Sequence, residues 1–280
     1  MKFDSFFINS LGLIALIVFL FVTAPPPLPL AAENQSATVN INRVFAMLEA
    51  ENDAAREIWT KEIVKAGKQT GFKFSEDWQQ NNVEAGPLPA LFLRETAKNM
   101  ERNPLRLSLF LGSDFAISSA NTFEDIQLAK FKLLKASSIP QFFLQQDTAL
   151  YTAMFPDMAM SQACVDCHND HKDTPKTDWK LHDMMGATTW MYPKQKITMD
   201  ECLALLHLLR NSVKTAYTRY LEKVMSFNTP PMIGDKWPKE GYYLPDVNVF
   251  IAKVKNKASI TTLNSLLDHS KPEHGKAIES

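Results

Sequence analysis

The sequence is short of several things, and each shortage narrows what it can be. Only three cysteines occur among 280 residues, Cys164, Cys167 and Cys202. Three thiols build no disulfide framework, and an odd count asks for another use of them. Charge of neither sign dominates: 30 Lys and Arg stand against 31 Asp and Glu, a formal net charge of -1. Without a basic field nothing steers nucleic acid to the chain, and that function class is set aside. No glycine-rich phosphate loop, Ser-His-Asp set or paired-carboxylate motif stands out, so nothing positive marks an enzyme. No internal repeat and no transmitter, kinase or cyclase module is visible. What the chain does have is a 45% share of hydrophobic residues, enough for a core of its own.

The first residues point to export. Lys2 precedes an apolar run from Leu11 to Ala24, followed by Pro25, Pro26 and Pro27. The run suits a secretory leader and falls short of the ~20 residues of a comfortable membrane span. Adding Phe6 to Asn9 lengthens it enough for an anchor. The prolines argue against cleavage directly after Ala24, with Ala31 or Ala32 as a weak alternative. Residues 1–32 therefore read as a signal peptide or an N-terminal anchor. Both predict a periplasmic or otherwise extracytoplasmic protein, soluble or tied to the membrane.

Cys164-Val165-Asp166-Cys167-His168 has the form C-x-x-C-H, the attachment motif of c-type haem. Two thiols at this spacing each reach a vinyl group on one edge of the porphyrin, and the adjacent imidazole reaches the iron. One covalent haem c on Cys164 and Cys167, with His168 as axial iron ligand, is the expectation. Two other uses stay open. A redox C-x-x-C starts a helix in a thioredoxin-like βαβ unit, a pattern not seen around this one. A zinc site needs four donors, and Cys164, Cys167, His168 and His171 are crowded for one ion.

Periodicity places the motif in an α+β domain. A helical pattern runs from Asn40 to about Gly67, and Gly86-Pro87-Leu88-Pro89 leads into a second helix from Ala90 to Glu101. Leu105 to Phe110 alternates like a strand, and Asn121-Thr122-Phe123-Glu124 reads as the cap of a helix reaching Lys135. Gln141 to Phe155 reads as a hairpin turning near Gln145-Gln146-Asp147, and Ala187 to Tyr192 as another strand. Thr198-Met199-Asp200-Glu201 forms a capping box before a long amphipathic helix ending near Met225, with Cys202 on its apolar stripe. The expected divisions are 40–195 for the haem domain, 196–227 for the long helix, and 228–280 for a linker and a tail containing one short helix.

These residues resemble the family of single-haem, PAS-like c-type sensor domains, long catalogued as a domain of unknown function. The matching stretches are Arg56-Glu57-Ile58-Trp59 with Val64, Leu88-Pro89-Ala90, and Asn121-Thr122-Phe123-Glu124 with Phe131. After the haem motif come Pro175, Asp178-Trp179-Lys180, Asp183 and Gly186-Ala187. The resemblance covers about Asn42 to Pro193. It implies a PAS-like antiparallel sheet with flanking helices, a stand-alone or membrane-bound sensor, and a long helix beyond the haem domain. The chain departs from the pattern twice. His182 stands where the family usually has glycine, and no cysteine lies between Met1 and Cys164 to act as the second iron ligand some members draw from the N-terminal helix.

For the second iron ligand, His182 is a candidate, with Met160, Met184 and Met185 behind it. An open sixth position for a diatomic gas is the alternative. Arg94, Arg106 and Lys180 are candidates to neutralise the haem propionates, and Trp179 and Trp190 to pack at the haem edge. His171 is too close to His168 to reach the opposite face of a ring. The leading expectation is a sensor of redox state or of a diatomic ligand, signalling to a separate partner, with a homodimer left open. An electron-transfer cytochrome docking on a redox protein is the alternative.

Overall fold

The N-terminal helix has the expected extent but is less regular than its periodicity predicts. In a computed structural model describing residues 38–235 and 244–267, strand β1 (Thr38–Asn40) leads into helix α1 (Ile41–Ile58). Asn40 caps it, its side chain accepting from the Asn42 backbone N–H at 2.9 Å. The helix continues as a π-helical stretch over Trp59–Lys65 and closes with a turn at Ala66–Gln69. π-helical turns are rare and concentrate at functional sites. Here the stretch begins at Trp59, fully buried and stacked on Phe92 with ring centroids 4.2 Å apart. The expected signal peptide or anchor, residues 1–32, lies outside the described residues.

Helix α2 (Pro89–Glu101) starts with proline in its first turn, where a missing N–H costs nothing. Strand β2 (Ser108–Gly112) begins later than the alternation from Leu105 suggests. Asn103 Oδ1 takes the Leu105 N–H at 3.1 Å and Arg106 has φ 57°, so a turn occupies the first residues of the predicted strand. Helix α3 (Asp125–Ser137) is not capped by Asn121, which donates its amide to the Leu111 carbonyl at 2.8 Å. Strands β3 (Gln141–Gln145) and β4 (Leu150–Met158) form the expected hairpin. Helix α4 (Gln162–Asp170) and a loop then lead to β5 (Met184–Tyr192). The main sheet is antiparallel with order β2-β5-β4-β3.

Strand periodicity divides the core. Ala153, Phe155, Trp190 and Tyr192 face the side covered by α1, α2 and the C-terminal helices. Met154 and Ala187 face Phe123, Phe131 and Leu134 on the other side, under α3. The architecture is α+β, as the sequence pattern implies.

Strand β6 (Lys196–Thr198) pairs with β1, and α5 (Met199–Met225) follows. Thr198 Oγ1 accepts from the Glu201 N–H at 3.2 Å, but Glu201 turns its carboxylate to Tyr192 and Lys194, so only half of the capping box forms. The tail holds more than the short helix expected of it. Helix α6 (Val247–Leu267) lies along α1, its narrow stripe Phe250, Val254 and Ala258 buried. Phe250 stacks on Tyr217 at 3.9 Å, and Tyr217 donates its hydroxyl to the Pro245 carbonyl at 2.7 Å.

Candidate functional site

The C-x-x-C-H motif lies on α4, where positions i, i+3 and i+4 share one face. That spacing gathers Cys164, Cys167 and His168, all partly buried, and both thiols are free. Val165 points the other way, into a small cluster with Ala159, Trp179 and Met185, against which Cys164 also packs. The Ser161 hydroxyl sits 3.2 Å from the Cys164 sulfur. Burial, then the nearby Glu76 carboxylate, push the Cys167 thiol up, with Lys68 opposing.

His168 Nδ1 is buried with no hydrogen-bond partner. Burial moves the imidazole below its usual value, partly offset by Asp157, so the neutral ring that a metal requires is favoured. No cluster of three or more His, Cys, Asp and Glu able to hold a bare metal ion occurs among the described residues. The zinc use of the motif therefore lacks further donors. A prosthetic group that brings its own equatorial ligands fits this set, because two thiols and one unpartnered imidazole are what remain for the protein to supply.

The loop after α4 is tied back to it. His171 Nδ1 accepts from the Asp173 N–H at 3.1 Å, leaving Nε2 to meet the Glu76 carboxylate at 3.2 Å. His171 thus links the motif to the 76–84 segment. Trp179 is buried, its indole Nε1 without a partner, with Lys176 over its ring at 4.7 Å and Phe115 edge-on at 6.3 Å. Phe115, Met160 and Leu181 are well exposed.

The other expected site residues are scattered. Lys180 is exposed, its N–H bound to Asp183 at 2.8 Å. His182 is exposed with φ 70°, and its N–H donates to the Ala159 carbonyl at 3.0 Å. A left-handed backbone at this position accounts for the glycine that the resemblance expects there. Arg106 lies in the turn before the end of β2 that pairs with Met191, while the motif follows β4, whose last residues pair with β5 near Met184. Arg94 is exposed on α2, which packs on α5. Neither arginine is brought to the motif. Trp190 is fully buried in the main core rather than beside the motif.

Sequence reasoning missed three groups. Asn169 fixes the backbone of Trp179, and Glu76 meets His171. On α1, Glu49, Asp53 and Arg56 lie a turn apart; Asp53 is exposed, while Glu49 meets the Trp190 indole and Arg56 binds the Asp157 carboxylate and, at 3.3 Å, the Thr188 hydroxyl. The i, i+4, i+7 spacing was the available signal, overshadowed by the apolar positions between these residues.

The model of one protein family, Tll0287-like, matches residues 34–193. No curated protein and no solved structure matches.

Proposed function

The chain belongs to the Tll0287-like family, a cytochrome-related domain family, and from that premise we propose that it is an exported monohaem protein that senses redox state or a diatomic ligand. Cys164 and Cys167 carry the haem c through thioether bonds, and His168 is the axial iron ligand. The observation supporting this most directly is the shared face of α4, two free thiols beside an imidazole with a buried, unpartnered nitrogen. When bound, the haem supplies a one-electron couple and an iron able to take a small ligand. Trp179 walls the attachment site with its indole, and Lys180 and Lys176 offer cations to propionates. His182 and Met160 are the candidates for the sixth position; the His182 N–H donates to the Ala159 carbonyl, which keeps the two residues' segments together beside the motif's helix.

A path for the signal runs from the motif to the long helix. His171 meets Glu76, and Gln79 of the same segment donates to Glu95 at 3.1 Å. Glu95 also binds Arg219 of α5 at 3.2 Å, and Lys223 of α5 donates to the Gln80 carbonyl at 2.7 Å. A displacement of α4 would reach α5 through these contacts, and α5 would present it to a separate partner protein.

A periplasmic electron carrier is the second reading, favoured by the exposed Phe115, Met160 and Leu181. They offer an apolar rim on which a redox partner could dock.

One experiment separates the readings. The protein is made in a host that matures c-type cytochromes in its periplasm, with a Cys164→Ala, Cys167→Ala control. Absorption spectra of the reduced protein are recorded before and after carbon monoxide. A prompt Soret shift supports ligand sensing, and no shift supports two firm ligands and electron transfer. Absence of covalently retained haem would sink both.

A further inference from the structure

Chain order and packing put one covered ion pair beside the motif. Phe155 lies in the core on the α1 side of the sheet, and Asp157, two residues on along β4, shares that face. There Asp157 binds Arg56, which comes from the last turn of α1. Arg56 Nη1 also donates to the Thr188 hydroxyl of β5 at 3.3 Å. Asp157 is the only ion-pair partner of Arg56 among the described residues. The pair is thus fixed to α1, β4 and β5 together.

The same end of β4 leads directly into the motif's surroundings. Two residues beyond Asp157, Ala159 is fully buried in the cluster of Val165, Trp179 and Met185, on which Cys164 packs. The Ala159 N–H donates to the Asp183 carbonyl at 2.9 Å, and its carbonyl accepts from the His182 N–H at 3.0 Å. Two residues of chain span at most about 7 Å, so Asp157 stands no farther than that from the cluster carrying the motif.

Most other charges around the motif, Asp166, Asp170, Asp173, Asp178 and Lys180, are exposed, and water and salt screen them. The side chains of Arg56 and Asp157 are only 20% and 17% exposed, so their fields are screened far less. An axial histidine is commonly tuned through a hydrogen bond from its second ring nitrogen to a carboxylate or carbonyl. His168 Nδ1 is buried with no such partner, which leaves charges acting through space. The Asp157 charge is felt at the imidazole, where it opposes the effect of burial.

We propose that Arg56 and Asp157 set the midpoint potential of the iron held at His168, Arg56 raising it and Asp157 lowering it. The inference rests on the haem reading above. When a one-electron donor reduces the ferric iron, the charge there falls by one. A nearby cation therefore favours the ferrous form and a nearby anion the ferric form. As a closed pair the two largely cancel, and removing either partner frees the field of the other.

The test is a mediated redox titration of the haem-bearing wild type and variants at pH 8 and low ionic strength, with dithionite and ferricyanide. Arg56→Gln is expected to lower the midpoint potential and Asp157→Asn to raise it. Each shift is expected to reach at least a threefold change in the reduction equilibrium, about 28 mV at 59 mV per tenfold for one electron. The double variant should return close to wild type, and Arg56→Lys, which keeps the charge, should shift less than Arg56→Gln. Urea midpoints are expected to fall in both single variants, so opposite shifts in potential cannot come from a shared loss of packing. Smaller shifts, or shifts in the same direction in both single variants, overturn the proposal. Should Arg56→Gln retain no haem, Asp157→Asn decides alone, and an unchanged or lower potential overturns it. A wild type without covalent haem overturns the haem reading as well.

Discussion

Asn169 and Trp179 hold each other in both directions: the Asn169 amide donates to the Trp179 carbonyl at 3.0 Å, and the Trp179 N–H donates to Asn169 Oδ1 at 2.9 Å. One side chain thereby satisfies both backbone groups of a buried residue and pins the loop to the helix carrying Cys164, Cys167 and His168. Asn169→Ala leaves a donor and an acceptor without partners. It is expected to cost about 1–3 kcal/mol in urea unfolding and to lower the yield of covalently attached haem. Asn169→Asp keeps the acceptor for the Trp179 N–H and should fall between. Equal stability of Asn169→Ala and wild type would show that the pair does not anchor the loop.

Gly186 sets the spacing of the sheet beside the site. A Cβ built there would lie 2.4 Å from the Gly112 carbonyl oxygen, a backbone atom that cannot swing aside. Gly112 in turn lies under the Phe123 ring, where a Cβ would come within 2.4 Å. Gly186→Ala should therefore separate β2 from β5, at a cost of about 1–3 kcal/mol or more, with the loss read as a lower Tm. Because Ser113 donates its hydroxyl to the Met185 carbonyl at 2.6 Å, backbone amide exchange in residues 184–188 should rise with it.

The pH dependence of folding carries a definite sign. A carboxyl with a higher value in the folded than in the unfolded state binds its proton more tightly in the native protein. Its contribution to stability is therefore complete at low pH and is lost as pH rises past the unfolded value toward the folded one. For Glu49 the loss begins near 4.5 and continues upward, and for Asp53 it runs from about 3.8 to about 6. Urea midpoints of the wild type should fall from pH 5 to pH 8. Glu49→Gln, neutral at every pH and still an acceptor for the Trp190 indole, should fall less and exceed the wild type at pH 8. A Glu49→Gln profile parallel to wild type would mean that Glu49 is ionised in the native state.

The motif and most elements were legible because they depend on local spacing. C-x-x-C-H needs only i, i+3 and i+4, and the hairpin before it needs only alternation around a turn. What was not legible depends on pairs distant in sequence. Arg56 meets Asp157 and Thr188 across more than a hundred residues, and no local pattern encodes that choice. Arg106 reads as a propionate partner by charge alone, and the register of β2 on β5, which sets the end of β2 it precedes beside Met191, is likewise a pairing distant in sequence. Helix α6 was underestimated because Phe250, Val254 and Ala258 make a stripe one residue wide, too thin to stand out.

The packing of α6 on α1 gives the last prediction, since Glu51 on α1 is 1% exposed and is met from two sides. Arg210 of α5 donates Nε to it at 2.9 Å, and Thr262 of α6 donates its hydroxyl at 3.1 Å. Removing the arginine strands a carboxylate among apolar neighbours, and breaking a buried pair from one side costs up to about 3–5 kcal/mol. Arg210 is 36% exposed in its side chain, so solvent returns part of that and about 2 kcal/mol is the expected loss. Arg210→Ala should lower the urea midpoint accordingly, and Arg210→Lys, which cannot make the two-pronged contact, should recover only part. Adding Glu51→Gln to Arg210→Ala should restore stability, because the stranded charge is gone. If the double variant is no more stable than Arg210→Ala, the loss comes from packing of the arginine stem rather than from an unpaired acid.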